Sequence, residues 1–423
     1  MPLSHIGAKM AHLSGLRSIM DDIATTIGSG ERGWLNLSIG NPAPIPEAIS
    51  AWRGWTQAAL GTSFATNSCA YGPSRGAAEL VDAIVDYFNG RYGWGITARN
   101  VVVGPGSQML CFIAAALFSG PGPRGNRRLV LPMSPDYTGY QGLSMAADAI
   151  TGVPARVEPQ EGRRFRYAFD FPALRDLDDI GMLLLSSPSN PTGRCVDPDE
   201  LRELIGLAEH RDAPLFLDHA YGQPFPAVGR TRVDPPWHEN VVNCFTVSKA
   251  GLPGERIAFA IGPERPVEAM VSFLANSALH APQLAQNALA RALRSGELDT
   301  LVTEVITPFY RDRRQLAEKL LDEIMPAAVN WSLHEGEGGL FCWLWIDEPW
   351  FDDIELYRLL KRKRVFVVPG RHFCVEGRSD PETAGHDTRC FRISLSPDEC
   401  VLTEGIVRIA EVLEDMRAGP PPT

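Results

Sequence analysis

Lys249 stands where a reactive amine could do chemistry. It follows an apolar stretch and enters a turn rich in glycine and proline, and Arg256 follows seven residues later. A lysine becomes a nucleophile when desolvation or a neighbouring cation lowers its pKa. Arg256 would supply such a cation while binding a phosphate dianion through two hydrogen bonds. The pair indicates a Schiff-base lysine beside a phosphate anchor, although a lone lysine is usually a solvated surface group.

A second phosphate-binding signal lies upstream, in residues 101–110. Three valines lead into a Gly-Pro-Gly turn and an apolar helical run, an order that aims backbone N–H groups and the positive end of a helix at an anion. Met109 stands where a dinucleotide fingerprint needs its third glycine, which argues against a Rossmann site. We predict a cup for a single phosphate formed by Gly106, Ser107 and Gln108. A purely structural turn is the competing interpretation.

Two more apolar runs end in polar side chains. The run 182–185 stops at Ser-Ser-Pro-Ser-Asn-Pro-Thr-Gly, which frees the Asn190 side chain to donate to a ligand oxygen. The run 214–217 ends in Asp218, and Tyr221 follows three residues later. Ligands of open α/β sheets bind beyond the carboxyl ends of the strands, so we expect these chain segments to face one cleft.

These residue types suit a pyridine cofactor that carries a phosphate arm. Its ring nitrogen needs a carboxylate to stay protonated, which makes the ring an electron sink. Its phenolic oxygen needs hydrogen-bond donors, and its aldehyde needs a lysine. Asp218, Asn190 with Tyr221, and Lys249 meet these needs in turn.

The order of the motifs resembles the fold-type I aminotransferases of class I/II, which depend on pyridoxal 5′-phosphate. The signatures are Ser-Pro-Ser-Asn-Pro-Thr-Gly, Asp-x-x-Tyr and Ser-Lys…Arg, at intervals of 28 residues (218 − 190) and 31 residues (249 − 218). The likeness runs from about residue 37 to residue 396. It implies an α/β fold, with a large domain around a mostly parallel sheet and a small α/β C-terminal domain.

The resemblance implies a role for each matched residue. Lys249 would hold the cofactor and move a proton, Asp218 would pair with the ring nitrogen, and Asn190 and Tyr221 would bond the phenolic oxygen. Tyr137 would stack on the ring, with Tyr140 as its rival. The residues implied for the phosphate are Gly106, Ser107, Gln108, Thr246 and Arg256.

Three further residues concern the substrate and the partner. Arg392 would bind the substrate α-carboxylate with its planar guanidinium, in preference to Arg389, which lies before the apolar strand. Gly40 would lie near the substrate. Tyr71 resembles the tyrosine that reaches the phosphate of the neighbouring subunit, so the resemblance implies a homodimer with a shared active site.

The reaction is less constrained than the cofactor. The N-terminal segments and the run after Tyr221 resemble the family members that exchange an amino group between valine and pyruvate. The implied substrates are a small neutral amino acid of the valine/alanine type and a 2-oxo acid such as pyruvate. The alternative is a lyase or synthase that performs β- or γ-elimination and replacement, or C–C bond formation, on an activated amino acid such as S-adenosylmethionine. A regulator with a dead domain is disfavoured because the cofactor residues are intact.

The composition of the chain narrows the choice of protein class. A net charge of −11 over 423 residues argues against nucleic acid. No run approaches the ~20 apolar residues of a membrane span, and the first residues lack the apolar core of a secretory signal. Eight cysteines without metal-ligand spacing predict reduced thiols, no metal and a cytoplasmic location.

The chain divides into three predicted parts. We predict an N-terminal arm over residues 1–45, a large cofactor-binding domain over 46–295, and a small domain over 296–423 that the arm completes. Residues 371–388 are polar and contain glycine and proline, which predicts a mobile loop. The tail 419–423 is expected to be disordered.

Overall fold

A computed structural model describes residues 1–11, 15–28, 32–146, 149–375 and 385–419 of the chain. Residues 376–384 of the predicted loop and residues 420–423 of the tail therefore lie outside the described residues. None of the described helices is both long enough and apolar enough to span a membrane. Within the same ranges, no group of three or more His, Cys, Asp or Glu side chains is placed to hold a metal ion.

Helices and strands alternate along most of the chain. The helices are α1 His5–Met10, α2 Gly15–Gly28, α3 Pro46–Ser68, α4 Ala78–Tyr92, α5 Ser107–Phe118, α6 Phe171–Arg175, α7 Pro198–His210, α8 Glu264–Ser277, α9 Gln283–Ser295, α10 Glu297–Leu301, α11 Thr307–Ile324, α12 Asp353–Arg362 and α13 Glu399–Ala418. The strands are β1 Leu35–Asn36, β2 Val101–Gly104, β3 Gly120–Gly122, β4 Gly125–Ser134, β5 Ile150–Pro154, β6 Arg156–Gln160, β7 Arg164–Ala168, β8 Ile180–Ser186, β9 Leu215–Asp218, β10 Val241–Thr246, β11 Ala258–Ile261, β12 Trp331–His334, β13 Phe341–Ile346, β14 Val365–Phe366, β15 Val368–Pro369 and β16 Cys390–Ser394. Short 3-10 helices lie at Ala98–Asn100, Thr138–Gly142, Gly370–Phe373 and Asp387–Arg389, and a π-helical turn lies at Val302–Ile306.

An eight-stranded sheet occupies the centre, in the order β2-β11-β10-β9-β8-β4-β3 with β5 beside β4. Strands β10, β9, β8, β4 and β5 pair in parallel, and β11 runs antiparallel between β2 and β10. Alternate residues of β8 enter different cores: Leu183 and Leu185 join one, and Met182 and Leu184 join the other. Burial on both faces explains the unbroken apolar runs of the sequence.

The register of the central strands brings the chemical groups to one edge. Ser186 at the end of β8 lies opposite Asp218 at the end of β9, and Asp218 lies opposite Cys244 in β10. The segments that carry Asn190 and Lys249 leave from this edge, and α5 begins just after β2. The carboxyl edge of the parallel strands therefore carries the site, where ligands of such sheets bind.

A second, six-stranded sheet has the order β15-β16-β13-β12-β7-β6. Strand β16, which carries Arg392, lies between β15 and β13. The hairpin of β6 and β7 joins this sheet through β12, although it precedes residue 295 in the chain. Strand β1 pairs in parallel with β14 and attaches the arm to the C-terminal part. The α/β fold class is confirmed, and the domain boundaries stay a prediction.

Candidate active site

A cavity of about 440 Å³ opens at the carboxyl edge of the central sheet. Its walls come from the loops after the strands, from β16 and from the N-terminal segment. The sequence-predicted residues that line it are Gly40, Ser107, Gln108, Tyr137, Asn190, Asp218, Tyr221, Thr246, Lys249, Arg256 and Arg392. Gly106 adjoins Ser107 at its rim, and Tyr71 lies elsewhere.

The amine of Lys249 lies in a dry, positively charged setting. Its Nζ donates a hydrogen bond to the carbonyl oxygen of Gly40 over 2.7 Å. Burial and the charges of Arg392 and Arg256 together lower the pKa of Lys249 to about 8, while the nearby Asp218 acts in the opposite direction. These are the two causes expected from the sequence, and they leave a substantial fraction of the amine neutral near physiological pH.

Asp218 is a buried carboxylate held by a backbone N–H and a tyrosine hydroxyl. The Ala220 N–H donates to Oδ1 over 3.1 Å, and the Tyr140 hydroxyl donates to Oδ2 over 2.9 Å. Burial raises the pKa of Asp218 to about 6, while these hydrogen bonds and the charge of Lys249 oppose the rise. Because these groups favour the ionised form, the carboxylate can accept a hydrogen bond from a positively charged N–H donor.

Tyr140 therefore has a contact that the sequence analysis missed. It was considered only as a rival of Tyr137 for ring stacking, but its side chain is fully buried beneath Asp218. The two tyrosine rings meet edge to face, with centroids 5.2 Å apart. A spacing of three residues in the 3-10 helix Thr138–Gly142 puts both on one side, and this spacing was the signal available in the sequence.

Arg392 joins the site from the second sheet. Its Nη1 donates to Asn190 Oδ1 over 2.8 Å, and its Nη2 donates to the Ser38 carbonyl over 2.9 Å. The guanidinium carbon lies 3.9 Å from the ring centroid of Phe341. Burial lowers the pKa of Arg392 to about 10. Arg389, the rival, instead pairs with Asp347 at 3.2 Å.

The Asn190 amide is oriented by Arg392. Because the amide oxygen accepts from the guanidinium, the amide nitrogen is the atom left to donate to a ligand. Tyr221 is also buried and lines the same cavity, and burial raises the pKa of its hydroxyl. Both side chains can therefore offer protons to a ligand oxygen, as expected from the sequence.

The phosphate cup has the shape that an anion site needs. Gly106 has a φ of +92° and precedes α5, and an added Cβ would overlap the guanidinium of Arg256. Only a glycine allows Arg256 to cross the helix N-terminus at this distance. Arg256 itself has a φ of +51°, an uncommon value for a residue other than glycine.

Polar side chains complete the cup. Gln108 donates through Nε2 to the Gly139 carbonyl over 2.9 Å, while its Oε1 is buried with no hydrogen-bond partner in the described structure. Thr246 Oγ1 lies 2.9 Å from Ser248 Oγ, and both line the cavity. An anion cup at the helix N-terminus, a lysine of lowered pKa and a buried carboxylate together fit pyridoxal 5′-phosphate.

Several lining residues were not anticipated from the sequence. They are small or local polar groups without a motif of their own, except for one methionine of the arm. These residues are Met20, Ser38, Asn41, Thr138, Ser186 and Ser248. Their place in the cavity depends on how the arm and the strand ends come together, and no spacing rule reports that.

Tyr71 is the one predicted residue that lies apart from the cavity. Its side chain is 88% exposed, and its ring centroid is 6.1 Å from that of His280. The side chain therefore lies outside the cavity of its own chain. It is accessible to another molecule.

Comparisons with known proteins agree with this geometry. The sequence profile of the family "Aminotransferase class I and II" matches residues 32–409. The chain is 30% identical to the valine–pyruvate aminotransferase of Escherichia coli over 98% of each chain. Among solved structures, a protein of Psychrobacter arcticum assigned as an amino-acid aminotransferase aligns with a TM-score of 0.92, at 29% identity, over 99% of this chain and all of that one. The valine–pyruvate aminotransferase of Salmonella typhimurium aligns with a TM-score of 0.85, at 27% identity, over 96% of this chain and all of that one.

Proposed function

We propose, from the premise that this chain belongs to the class I and II aminotransferases and uses pyridoxal 5′-phosphate, that it transfers the amino group between a small neutral amino acid and pyruvate. The donor would be of the valine or alanine type. The name of the E. coli relative, matched over 98% of both chains, supports this substrate pair. The comparisons do not favour the alternative of a lyase or synthase.

The charges in the cavity support a substrate with a neutral side chain. Among the described lining residues, the cations are Lys249, Arg256 and Arg392. Arg256 lies at the phosphate cup, Lys249 is needed for chemistry, and Arg392 is placed for the α-carboxylate. No cation among these residues is left to pair with an acidic side chain, and desolvating an unpaired carboxylate is costly.

Each residue would hold one part of the reacting pair. When bound, the cofactor supplies an electron-withdrawing ring that stabilises negative charge at the substrate Cα. Asp218 would accept a hydrogen bond from the ring nitrogen, and Asn190 and Tyr221 would donate to the phenolic oxygen. Residues 106–108, Thr246 and Arg256 would bind the phosphate. Tyr137 would pack on the ring face.

Lys249 would move the proton. With a pKa of about 8, its amine is a competent base near neutral pH, and it would remove the proton from the substrate Cα. Arg392 would fix the substrate carboxylate in two-point geometry, so that the Cα–H bond points at Lys249. The Gly40 carbonyl, which accepts a hydrogen bond from Lys249, would hold the amine on this side of the cavity.

The exposed Tyr71 supports a homodimer. We propose that its hydroxyl reaches the phosphate cup of a second copy of the chain. Two other exposed apolar residues support a buried contact surface there. Phe64, near Tyr71 in the sequence, is 50% exposed, and Leu279, beside His280, is 54% exposed. Free thiols at all eight cysteines support a cytoplasmic location.

The proposed function is tested by adding amino acids singly to the cofactor-loaded protein without any oxo acid. Valine or alanine should convert the visible absorbance of the bound cofactor to that of its aminated form, and pyruvate should restore it. Aspartate should convert it much more slowly. Release of a side-chain fragment from S-adenosylmethionine, without conversion by valine or alanine, would place the chain among the lyases or synthases.

A further inference from the structure

The N-terminal segment builds one wall of the cavity. Ser38, Gly40 and Asn41 line it, and Met20 joins them from helix α2. Among the described lining residues, Met20 has the one long aliphatic side chain; the others with aliphatic side chains are Ala220 and Pro253. The methionine is 39% exposed, so much of its side chain is available for contact. It therefore offers apolar surface to whatever enters the cavity.

Helix α2 packs against helix α12 and strand β14. Ile19 and Ile23 are buried against Tyr357 and Phe366. Beside them, Asp22 accepts hydrogen bonds from the Tyr357 hydroxyl over 2.7 Å and from Lys361 Nζ over 2.6 Å and 2.8 Å. We call this group of Asp22, Tyr357 and Lys361 the arm clasp. It ties α2 to α12 two residues away from Met20.

We infer that Met20 is a specificity-determining residue that contacts the substrate side chain, and that the arm clasp positions it. The inference rests on the proposed function for the identity of the substrate. An unbranched thioether adapts to cavities of irregular shape, so one residue can cover both a methyl and an isopropyl group. The larger group gains more from the contact, because the gain scales with the apolar area removed from water.

The test compares substrates that differ only in side-chain size. In Met20→Ala, the KM for valine should rise about tenfold while kcat changes less than about twofold, because a contact of this kind contributes equally to ground state and transition state. The KM for alanine should rise less than about threefold. Met20→Leu, of similar volume, should restore the preference for valine. Equal changes for both substrates, or a change confined to kcat, would overturn the inference.

The clasp has a matched control on the same helix. Asp22→Asn weakens the ion pair to Lys361, and because the pair is partly exposed the KM for valine should rise only about threefold. Asp21→Asn makes the same charge change at an exposed position and should leave KM unchanged. An Asp22→Asn protein with the wild-type preference would show that the clasp does not position Met20.

A binding measurement separates this inference from the proposed function. The unreactive acids propanoate and 3-methylbutanoate carry the two side chains, and their dissociation constants can be read from the absorbance of the bound cofactor without turnover. Met20→Ala should weaken the binding of 3-methylbutanoate by about tenfold and should change the binding of propanoate little. If the wild-type protein did not convert valine, the proposed function would fail, and the acid pair would still decide the role of Met20. If valine were converted and the two acids weakened equally, the role of Met20 alone would fail.

Discussion

At the residue scale, the site depends on one carboxylate kept charged in a dry place. Burial acts against the ionised form of Asp218, and the Tyr140 hydroxyl is one of the hydrogen-bond donors that favour it. A hydrogen bond to a charged group contributes roughly 1.5–3 kcal/mol, which corresponds to a pKa change of about one unit or more. Tyr140 can therefore change the pKa of Asp218.

Replacing Tyr140 should move the pH dependence of the enzyme. Tyr140→Phe keeps the ring and removes the donor that favours the ionised carboxylate, so the pKa of Asp218 rises. The acid limb of kcat/KM should shift to higher pH by about one unit. Tyr137→Phe, which alters the neighbouring ring without touching the bond to Asp218, should leave the limb in place. An unshifted limb in Tyr140→Phe would show that the tyrosine is only packing.

Most reactive residues could be identified from the sequence, but their partners could not. Lys249, Asp218 and Asn190 stand at strand ends in fixed local patterns, and strand ends meet at one edge of a parallel sheet. The bond from Tyr140 to Asp218 joins residues 78 positions apart. Nothing local encodes such a pair. The contact between Arg392 and Asn190, 202 positions apart, was hidden for the same reason.

At the element scale, the phosphate cup is a junction between a helix start and a turn. Gly106→Ala places a methyl group where the Arg256 guanidinium lies, at a φ of +92° that other residues rarely adopt. We expect cofactor affinity to fall by at least about tenfold. The folded apoprotein should persist, because the clash lies at a site that the cofactor completes. Equilibrium titration of the apoprotein with pyridoxal 5′-phosphate measures this change.

Gly254, two residues before Arg256, provides the control. An alanine Cβ at Gly254, in the same turn as Arg256, would contact no neighbouring atom. Gly254→Ala should therefore bind the cofactor nearly as well as the wild-type protein. Equal losses in both variants would point to the general flexibility of the turn and away from the close approach at Gly106.

A second junction packs against Arg392. Phe373, at the end of the 3-10 helix Gly370–Phe373, lies with its ring centroid 5.0 Å from the Arg392 guanidinium carbon. Arg371 ties this helix to α12 by donating to the fully buried Asp353 through N, over 3.0 Å, and through Nε, over 2.6 Å. Burial raises the pKa of Asp353 to about 6, while Arg371 opposes the rise.

Removing Arg371 should destabilise the fold in a pH-dependent way. Arg371→Met removes the cation that holds the pKa of Asp353 down to about 6, so this pKa should be higher in the variant. We expect a loss of about 2–3 kcal/mol in the free energy of unfolding near pH 8, where the buried carboxylate lacks its cation. Because the unpaired carboxyl takes up a proton as the pH falls, the loss should shrink towards pH 5 or so. Urea unfolding at the two pH values measures this. Arg358→Met, on the exposed face of α12, should lose little at either pH.

Elements with strong local periodicity were predictable, and those that cross between sheets were not. The apolar runs of β8 and β9 are strands as expected, since burial on both faces requires such runs. The hairpin of β6 and β7 lies within the segment assigned to the large domain but pairs with β12. Pairing over that distance depends on tertiary packing, which hydrophobic periodicity does not report.

At the scale of the whole molecule, the open question is which chain completes which cavity. Nine of the cofactor and catalytic residues predicted from the sequence line the cavity of one chain, Gly106 adjoins them, and Tyr71 is exposed outside it. In an isologous dimer, a residue that leaves one chain to serve its partner is matched by the reverse contribution. This symmetry makes the assignment of Tyr71 testable with two defective proteins.

Mixing the Lys249→Ala and Tyr71→Ala proteins tests whether Tyr71 acts in the cavity of the partner chain. The first variant lacks its amine and should be inactive, and the second should be weakened by the loss of a phosphate contact. After joint unfolding and refolding, a mixed dimer has one cavity with Lys249 from one chain and Tyr71 from the other, and a second cavity with neither. If half of the dimers are mixed, about a quarter of the wild-type activity should return.

The contrary outcome is equally clear. If Tyr71 acted within its own chain, no cavity of a mixed dimer would hold both residues, and activity would be no higher than the average of the two separate variants. A Tyr71→Phe protein refolded with Lys249→Ala distinguishes the hydroxyl from the ring, since recovery beyond that average requires the hydroxyl of the intact partner. Recovery of activity would place two shared active sites in a homodimer, each completed by the neighbouring chain.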